Sequence, residues 1–306
     1  MVMGHTPDRL LPLCVRERIA CTLWGAEQAR ALSDAARSVG ATAEFHLKLD
    51  TGMNRLGLRP GPGAAEAVAR MAALPGLRMA GIFTHLALVD AELDRAQFEM
   101  FMDFVAELKG LGVDPGLRHV SDSIGLARYP EYRLDLVRAG AALYGLPPLR
   151  APAIERAGLR TAFALRTRIS RLRRLGPGEG VGYDHSWKAP EAGALLATLP
   201  IGYADGYRRS LSNKGEVSIR GVRAPVVGLV CMDQCTVDVS AVHGVAEGDE
   251  VLLLGEGADG VVAPLEMAAW VGTNRNELVA GLGRRLPRVY RRGGEAVRVV
   301  DYLAAP

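Results

Sequence analysis

Cysteine and lysine each occur only four times in the 306 residues. Cys14, Cys21, Cys231 and Cys235 form no CxxC pair and no spacing with histidine that suits a metal. If Cys231 and Cys235 share a strand, they stand ~13 Å apart at ~3.3 Å per residue, too far for a disulfide. Reduced thiols are the plain expectation, and a cytoplasmic location with them. No apolar run approaches the ~20 residues that span a bilayer. The opening Met1-Val-Met-Gly-His-Thr-Pro7 lacks the basic region and apolar core of a secretory leader, so no membrane partner is expected. A net charge of +3 is too small to argue for nucleic acid. The arginine clusters Arg171-Leu-Arg-Arg174 and Arg284-Arg285 are short and read as solvated faces. There is no internal repeat and no low-complexity segment.

What is present is an ordinary globular balance, 49% hydrophobic and 23% charged, in a chain long enough for two domains. From Met1 to about Gly145 short apolar runs alternate with helical patterns, which predicts βα units and a parallel sheet. Strands are expected at Ile19–Trp24, Ala43–Leu49, Met79–His85, Leu117–Ser121 and Leu134–Arg138. Helices are expected at Ala26–Val39, Pro62–Ala73 and Ala91–Leu111, the last with Phe98, Phe101, Met102, Val105 and Leu108 near a period of 3.6. The run Leu146-Pro-Pro-Leu-Arg-Ala-Pro152 reads as an extended connector, since each proline fixes φ and removes a donor. Beyond it, β-branched runs between glycine-rich turns predict a mostly β second domain with a helical patch at about Ala263–Leu282. The expected domains are 1–148 and 149–306.

In Ala43–Leu49, Phe45, Leu47 and Leu49 alternate with Glu44, His46 and Lys48, and the pattern breaks at Asp50-Thr-Gly52. Lys48 and Arg55 therefore sit near the C-terminal end of a strand, where α/β barrels place their chemistry. Arg55 has the fork to grip a carboxylate; spacing alone equally suits a surface pair with Asp50. The stretch Lys48-Leu-Asp-Thr-Gly-Met-Asn-Arg-Leu-Gly57 resembles a signature of alanine racemases, pyridoxal-phosphate enzymes that interconvert L- and D-alanine. The resemblance implies that Arg55 helps hold the substrate carboxylate and that Lys48 is a site of carbamylation that positions Arg55.

Further motifs follow the family's order. His85 ends a strand; from the residues alone it suits a core histidine. His119-Val-Ser-Asp-Ser123 is similar to H-x-x-N-S, with Asp122 for the usual asparagine; a helix N-cap is the bland alternative. Arg138-Ala-Gly-Ala-Ala-Leu-Tyr-Gly145 is similar to R-x-G-A-A-x-Y-G. The resemblance implies cofactor binding by His85, His119, Ser123, Arg138, Gly140 and Ala141. Arg138 lies at the pyridine nitrogen, and Ser123 with the amides of Gly140 and Ala141 lies at the phosphate. Asp122 then puts a carboxylate near that phosphate unless its side chain turns away. Ile201-Gly-Tyr-Ala-Asp-Gly206 carries Tyr203, implied as a catalytic acid/base that reaches the partner subunit and is linked through His85 to Arg138. Cys231-Met-Asp-Gln234 resembles S-M-D-Q, implying substrate contact at Met232. Val181-Gly-Tyr-Asp184 places Tyr183 at the substrate entrance, with Asp184 where glycine is usual.

The family's barrel opens with a K-A-(D/N)-A-Y-G-H-G motif whose lysine forms the Schiff base. Lys48, Lys109, Lys188 and Lys214 all lack that context. At ~30 residues per βα unit, some 70–90 residues are expected to be missing in front. The fold expected is an incomplete TIM-type α/β barrel followed by a mostly β C-terminal domain. The function implied is a homodimeric alanine racemase with pyridoxal 5'-phosphate, supplying D-alanine for peptidoglycan. The alternatives are an inactive remnant, for which the absent lysine speaks, and a racemase of serine or broader specificity.

Overall fold

A computed structural model describes residues 1–146, 158–258 and 260–304. Two compact units emerge: Met1–Leu143, and Arg160–Pro306 together with Tyr144–Leu146. The boundary expected at 148/149 and most of the proline connector, 147–152, lie outside the described residues.

In the first unit, strands β1 (Cys21–Leu23), β2 (Ala43–Lys48), β3 (Leu77–Phe83) and β4 (Leu117–His119) form one parallel sheet in sequence order. A short helix α1 (Leu11–Arg16) precedes them, and α2 (Ala26–Val39), α3 (Ala64–Ala72) and α4 (Ala91–Gly110) make the crossovers. Such crossovers are what parallel pairing demands. The alternation in β2 sorts its two faces. Phe45, Leu47 and Leu49 are fully buried in a core with Leu32 of α2, Val68 of α3 and Phe101, Phe104 and Leu108 of α4. His46 and Lys48 point to the other face and are also buried. Helix α4 starts where Asp90 accepts the Leu93 amide, an N-cap bond.

Strand β3 carries a bulge. Phe45 pairs with Met79 but His46 pairs with Gly81, so Ala80 is an extra residue. Leu77 and Met79 pack on the helix-side core, and past the bulge Ile82 joins it. A Cβ at Gly81 would lie 2.4 Å from His46 Nδ1, so only glycine admits that ring.

Leu134–Arg138 is not a strand. It holds a single bridge, Asp122 with Arg138, and Asp135 bonds both the backbone and the guanidinium of Arg118. Two backbone bonds, from the Asp135 amide to the Arg118 carbonyl and from the Arg138 amide to the Ser121 carbonyl, add to this side-chain clasp without making a strand. Helix α5 (Ser123–Arg128) lies between β4 and this segment.

The second unit is mostly β. Strands β5 (Ala164–Arg168), β6 (Arg171–Leu175), β7 (Ala194–Leu199), β8 (Glu216–Ile219), β9 (Val222–Pro225), β10 (Cys235–Asp238), β11 (Glu250–Gly257) and β12 (Gly260–Val262) form two sheets. One runs β10-β7-β6; the other runs β12-β11-β8-β9 with β5 also on β11. Val251, Leu252, Leu253 and Leu254 are buried on both faces of β11, hence their unbroken apolar run. The helical patch resolves into α6 (Pro264–Val271) and α7 (Arg275–Ala280), and β13 (Arg288–Arg292) pairs with β14 (Glu295–Val300) as a hairpin. Cys235 opens β10, whereas Cys231 sits in a turn bonded to Gln234, so the two do not share a strand. All four cysteines are free. Among the described residues no helix is long and apolar enough to cross a membrane.

Candidate active site

Lys48, Phe83 and His119 are the last residues of β2, β3 and β4, so one end of the parallel sheet gathers the expected groups. Arg138 is the hub. Its Nη1 lies 2.8 Å from His119 Nδ1, and its Nη2 donates to the carbonyls of Thr84 (2.9 Å) and Val120 (2.6 Å). The same Nη2 is 3.4 Å from His85 Nδ1. The guanidinium sits 5.3 Å from the Phe83 ring centroid, a cation–π distance. Among the described residues no carboxylate pairs with it. Burial, opposed by Asp122, lowers its pKa to about 10, which leaves it charged. Arg138 is thus not the surface ion pair that an arginine at this place, taken by itself, would suggest.

His119 is wholly buried, stacked on Phe83 at 4.8 Å and 5°, with Nε2 2.8 Å from His46 Nδ1. Burial first, then the charge of Arg138 and the neighbouring His46, drive its pKa to about 3. Lys48 Nζ donates to its neighbour Leu49 carbonyl at 2.5 Å and lies 5.6 Å from the Phe83 centroid. Burial lowers its pKa to about 8; Asp50 opposes this, while Arg138 and Arg55 add to it. Arg55 is exposed and makes no ion pair among the described residues, because Asp50 Oδ1 accepts the Gly52 and Asn54 amides instead.

Asp122 turns away from the site of the expected phosphate. Its Oδ1 accepts the Ile124 and Gly125 amides and caps α5. Ser123 Oγ accepts the amides of Gly140 (3.0 Å) and Ala142 (3.2 Å). The Gly140 amide is therefore engaged by the serine, which ties the two segments together. Ala141 opens a single 3₁₀ turn, so its amide has no partner within that turn.

In the second unit, Tyr183, Tyr203 and Met232 line one open cleft of about 670 Å³, with Arg209 and Asp233 beside them. Tyr203 begins a 3₁₀ turn held by two backbone bonds, its amide to the Cys231 carbonyl and the Ala204 amide to the Met232 carbonyl. Gly202 permits this, since a Cβ there would lie 2.3 and 2.4 Å from those carbonyl oxygens. Tyr203 is half-exposed, and Met232 lies in the turn outside any strand. Tyr183 is 70% exposed and stands in a strained turn: Asp184 and His185 have φ of 60° and 43°, a region non-glycine residues rarely adopt.

Residues 1–148 match the family model described as "Alanine racemase, N-terminal domain", and residues 162–290 the one described as "Alanine racemase, C-terminal domain". The chain belongs to the alanine racemase family. The alanine racemase of Desulfovibrio desulfuricans is 43% identical over 294 residues, 95% of this chain and 77% of that protein. Alanine racemase 1 of Clostridium acetobutylicum is 35% identical over 99% of this chain and 79% of its own length. Among solved structures, alanine racemase from Clostridium difficile 630 superposes with a TM-score of 0.92 at 32% identity, covering 98% of this chain and 78% of that one. That of Bacillus anthracis with bound L-Ala-P gives 0.87 at 29% identity, covering 99% and 78%. The α/β barrel unit followed by a mostly β unit is the alanine racemase fold, and the family's members are isomerases.

Two residues that the motifs did not single out belong to these arrangements. His46 bonds His119 from β2; its inward alternation with Lys48 was the available signal. Arg285 is not a solvated arginine: it donates to Asp205 and Asp233 at 2.5 Å each, which clamps the Tyr203 turn to the Met232 turn. Those bonds, Asp205 first, hold its pKa up. Its partners lie 80 and 52 positions away in sequence, so no local pattern announces it.

Proposed function

We propose that this chain carries the cofactor and substrate sites of an alanine racemase that uses pyridoxal 5'-phosphate. The observation that carries the reading is Arg138 Nε, buried and without a hydrogen-bond partner among the described residues. A buried N–H wants an acceptor, and a pyridine nitrogen is one. Pyridoxal phosphate suits the remaining donors as well: the Ser123 hydroxyl proton and the Ala141 amide are available to phosphate oxygens. When bound, it supplies the electron sink that acidifies the α-carbon of alanine. Arg138 has only protons to give and stays charged, so it leaves the ring nitrogen unprotonated and moderates that sink. His85 and His119 hold Arg138 in place. Arg55 and the backbone at Met232 receive the alanine carboxylate.

Lys48 suits carbamylation. Its amine is partly neutral near neutral pH at a pKa of about 8, and Arg138 and Arg55 close by would favour the anionic product. The four free cysteines support a reducing, cytoplasmic setting. D-alanine for peptidoglycan is the corresponding product, and a homodimer that shares its sites between subunits is the corresponding assembly.

Racemisation needs proton carriers on opposite faces of Cα. One is a tyrosine of the second unit's cleft. Motif resemblance assigns it to Tyr203; the strained turn that projects Tyr183 favours Tyr183, since strain collects at functional positions. The opposed carrier in the family is the Schiff-base lysine, which is not among the four lysines here. The 306-residue chain should bind pyridoxal phosphate reversibly, and Arg138→Gln or Ser123→Ala should weaken that binding at least tenfold. A fusion that supplies the lysine motif ahead of Met1 should interconvert L- and D-alanine. Within it, phenylalanine at the true carrier should cut the rate roughly 10²–10⁴-fold, while α-proton exchange persists for one enantiomer only. No cofactor binding by the chain and no activity in the fusion would sink the reading; serine turned over faster than alanine would move its specificity.

A further inference from the structure

Behind the Arg138–His119 contact lies a second histidine. His46 Nδ1 is 2.8 Å from His119 Nε2, and both rings are buried, at 6% and 0% exposure. The proton positions along this line follow from hydrogen-bond chemistry alone. A guanidinium donates and never accepts. His119 Nδ1, 2.8 Å from Arg138 Nη1, must therefore carry a lone pair. A neutral imidazole then has its proton on Nε2, and that proton faces His46. His46 Nδ1 must in turn be a lone pair, with the His46 proton on Nε2. Every other assignment sets two donors, or two lone pairs, face to face in a site without water's freedom to adjust.

We infer that His46 is a positioning residue, whose Nδ1 lone pair holds His119 in the Nε2–H tautomer and so keeps His119 Nδ1 as the acceptor that fixes the Arg138 guanidinium. Three further features fit. Burial lowers the pKa of both histidines, which disfavours an imidazolium that would repel Arg138. Gly81 leaves the space the His46 ring occupies, and the Ala80 bulge brings Gly81 opposite His46. The line from His46 to Arg138 also contains no carboxylate, so it orients the cation without neutralising it. An Asp or Glu in the place of His46 would instead draw a proton onto His119 and turn the contact with Arg138 from attraction to repulsion. The inference rests on the reading of Arg138 as the arginine that meets the cofactor's ring nitrogen.

The test is the imidazole ¹⁵N spectrum of the 306-residue chain labelled with ¹⁵N-histidine, its His119 and His46 signals identified by their loss in His119→Gln and His46→Gln. Both residues should show the Nε2–H tautomer at about pH 7.5, above the ordinary imidazole pKa. His46→Leu removes the acceptor, and His119 should then lose its fixed tautomer. His46→Gln retains an amide oxygen at about the same reach, and His119 should keep it. Pyridoxal phosphate binding, scored separately, should fall several-fold in His46→Leu and recover in His46→Gln. An Nδ1–H signal for His119 in the unmodified chain would overturn the inference, as would an unchanged His119 spectrum in a folded His46→Leu protein. If His46→Leu does not fold, the unmodified and His46→Gln spectra still decide it. The tautomers are read whether or not the cofactor binds, so a failed relay and a failed cofactor assignment give different results.

Discussion

Lys48 bears a charge that the fold disfavours. Burial takes its pKa from 10.5 to about 8. Between those values the unfolded chain binds more protons than the folded one, so this group's contribution to stability rises with pH from about 8 to 10.5. Below about pH 8 the charged amine costs on the order of 3 kcal/mol, at about 1.4 kcal/mol per pKa unit. Lys48→Met should therefore raise the unfolding free energy near pH 7 by roughly 1–3 kcal/mol, the lost bond to Leu49 taking back part of the gain. It should also remove the alkaline rise. Urea titrations at about pH 7 and 9.5 check both, and the same pH slope in the variant would place the titration elsewhere. A carbamate on Lys48 should appear as a new carbonyl ¹³C resonance in labelled bicarbonate, absent in the methionine variant.

At the scale of elements, the segment that failed to be a strand is held by Asp135. Hydrogen bonds from Arg118, its side chain foremost, bring the Asp135 pKa to about 2 from 3.8. Between those values the unfolded state again binds more protons. The pair's contribution is complete above about pH 4 and fades toward pH 2. Asp135→Asn should flatten that part of the acid unfolding curve, read by circular dichroism. In the second unit, Gly202→Ala should cost about 1–3 kcal/mol, the usual penalty of forced overpacking, because its Cβ meets two carbonyl oxygens. A urea midpoint unmoved by that change would show that the Tyr203 turn yields freely. These elements also mark how far the sequence could be read. Helix Ala26–Val39 and strand Ala43–Lys48 were legible because each buries one face with its own period. Leu134–Arg138 was not, because so short a run, with three apolar residues in five, looks alike whether or not a strand ladder holds it. Of the site, Lys48, His85, His119, Ser123 and Arg138 were legible through motifs. Arg285 and the role of His46 were not, since both depend on partners far along the chain.

For the whole molecule, the parallel sheet ends in β1 and β4, each of three residues and each with one strand neighbour among the described residues, with single backbone bonds from Val2 beside β1 and Asp135 beside β4. Met1, Met3, Leu13 and Leu117 are exposed in that unit, as are Val289, Val297 and Val299 on the β13–β14 hairpin. Open edges and apolar faces invite pairing with other chains. The 306-residue protein should therefore self-associate with rising concentration, and sedimentation showing one monomeric species throughout would contradict this. On the proposed mechanism it should also produce no D-alanine from L-alanine with pyridoxal phosphate, since none of its four lysines stands in the family's Schiff-base motif. Turnover by the purified chain would show that Lys48 or another of its lysines can serve.

The extra residue in β3 decides which side chains the site receives. Side chains in a strand alternate, so a one-residue slip exchanges its faces. Met79 and Ile82 share the helix side only because Ala80 intervenes, and Phe83, which contacts Lys48, His119 and Arg138, falls inward for the same reason. Strand β3 should thus tolerate many changes of residue and none of length. In a library of single-residue deletions, loss of Ala80 should be as damaging as loss of Phe83 itself, although Ala80→Ser should pass unnoticed. Homologous chains aligned through this strand should vary in letters without opening a gap.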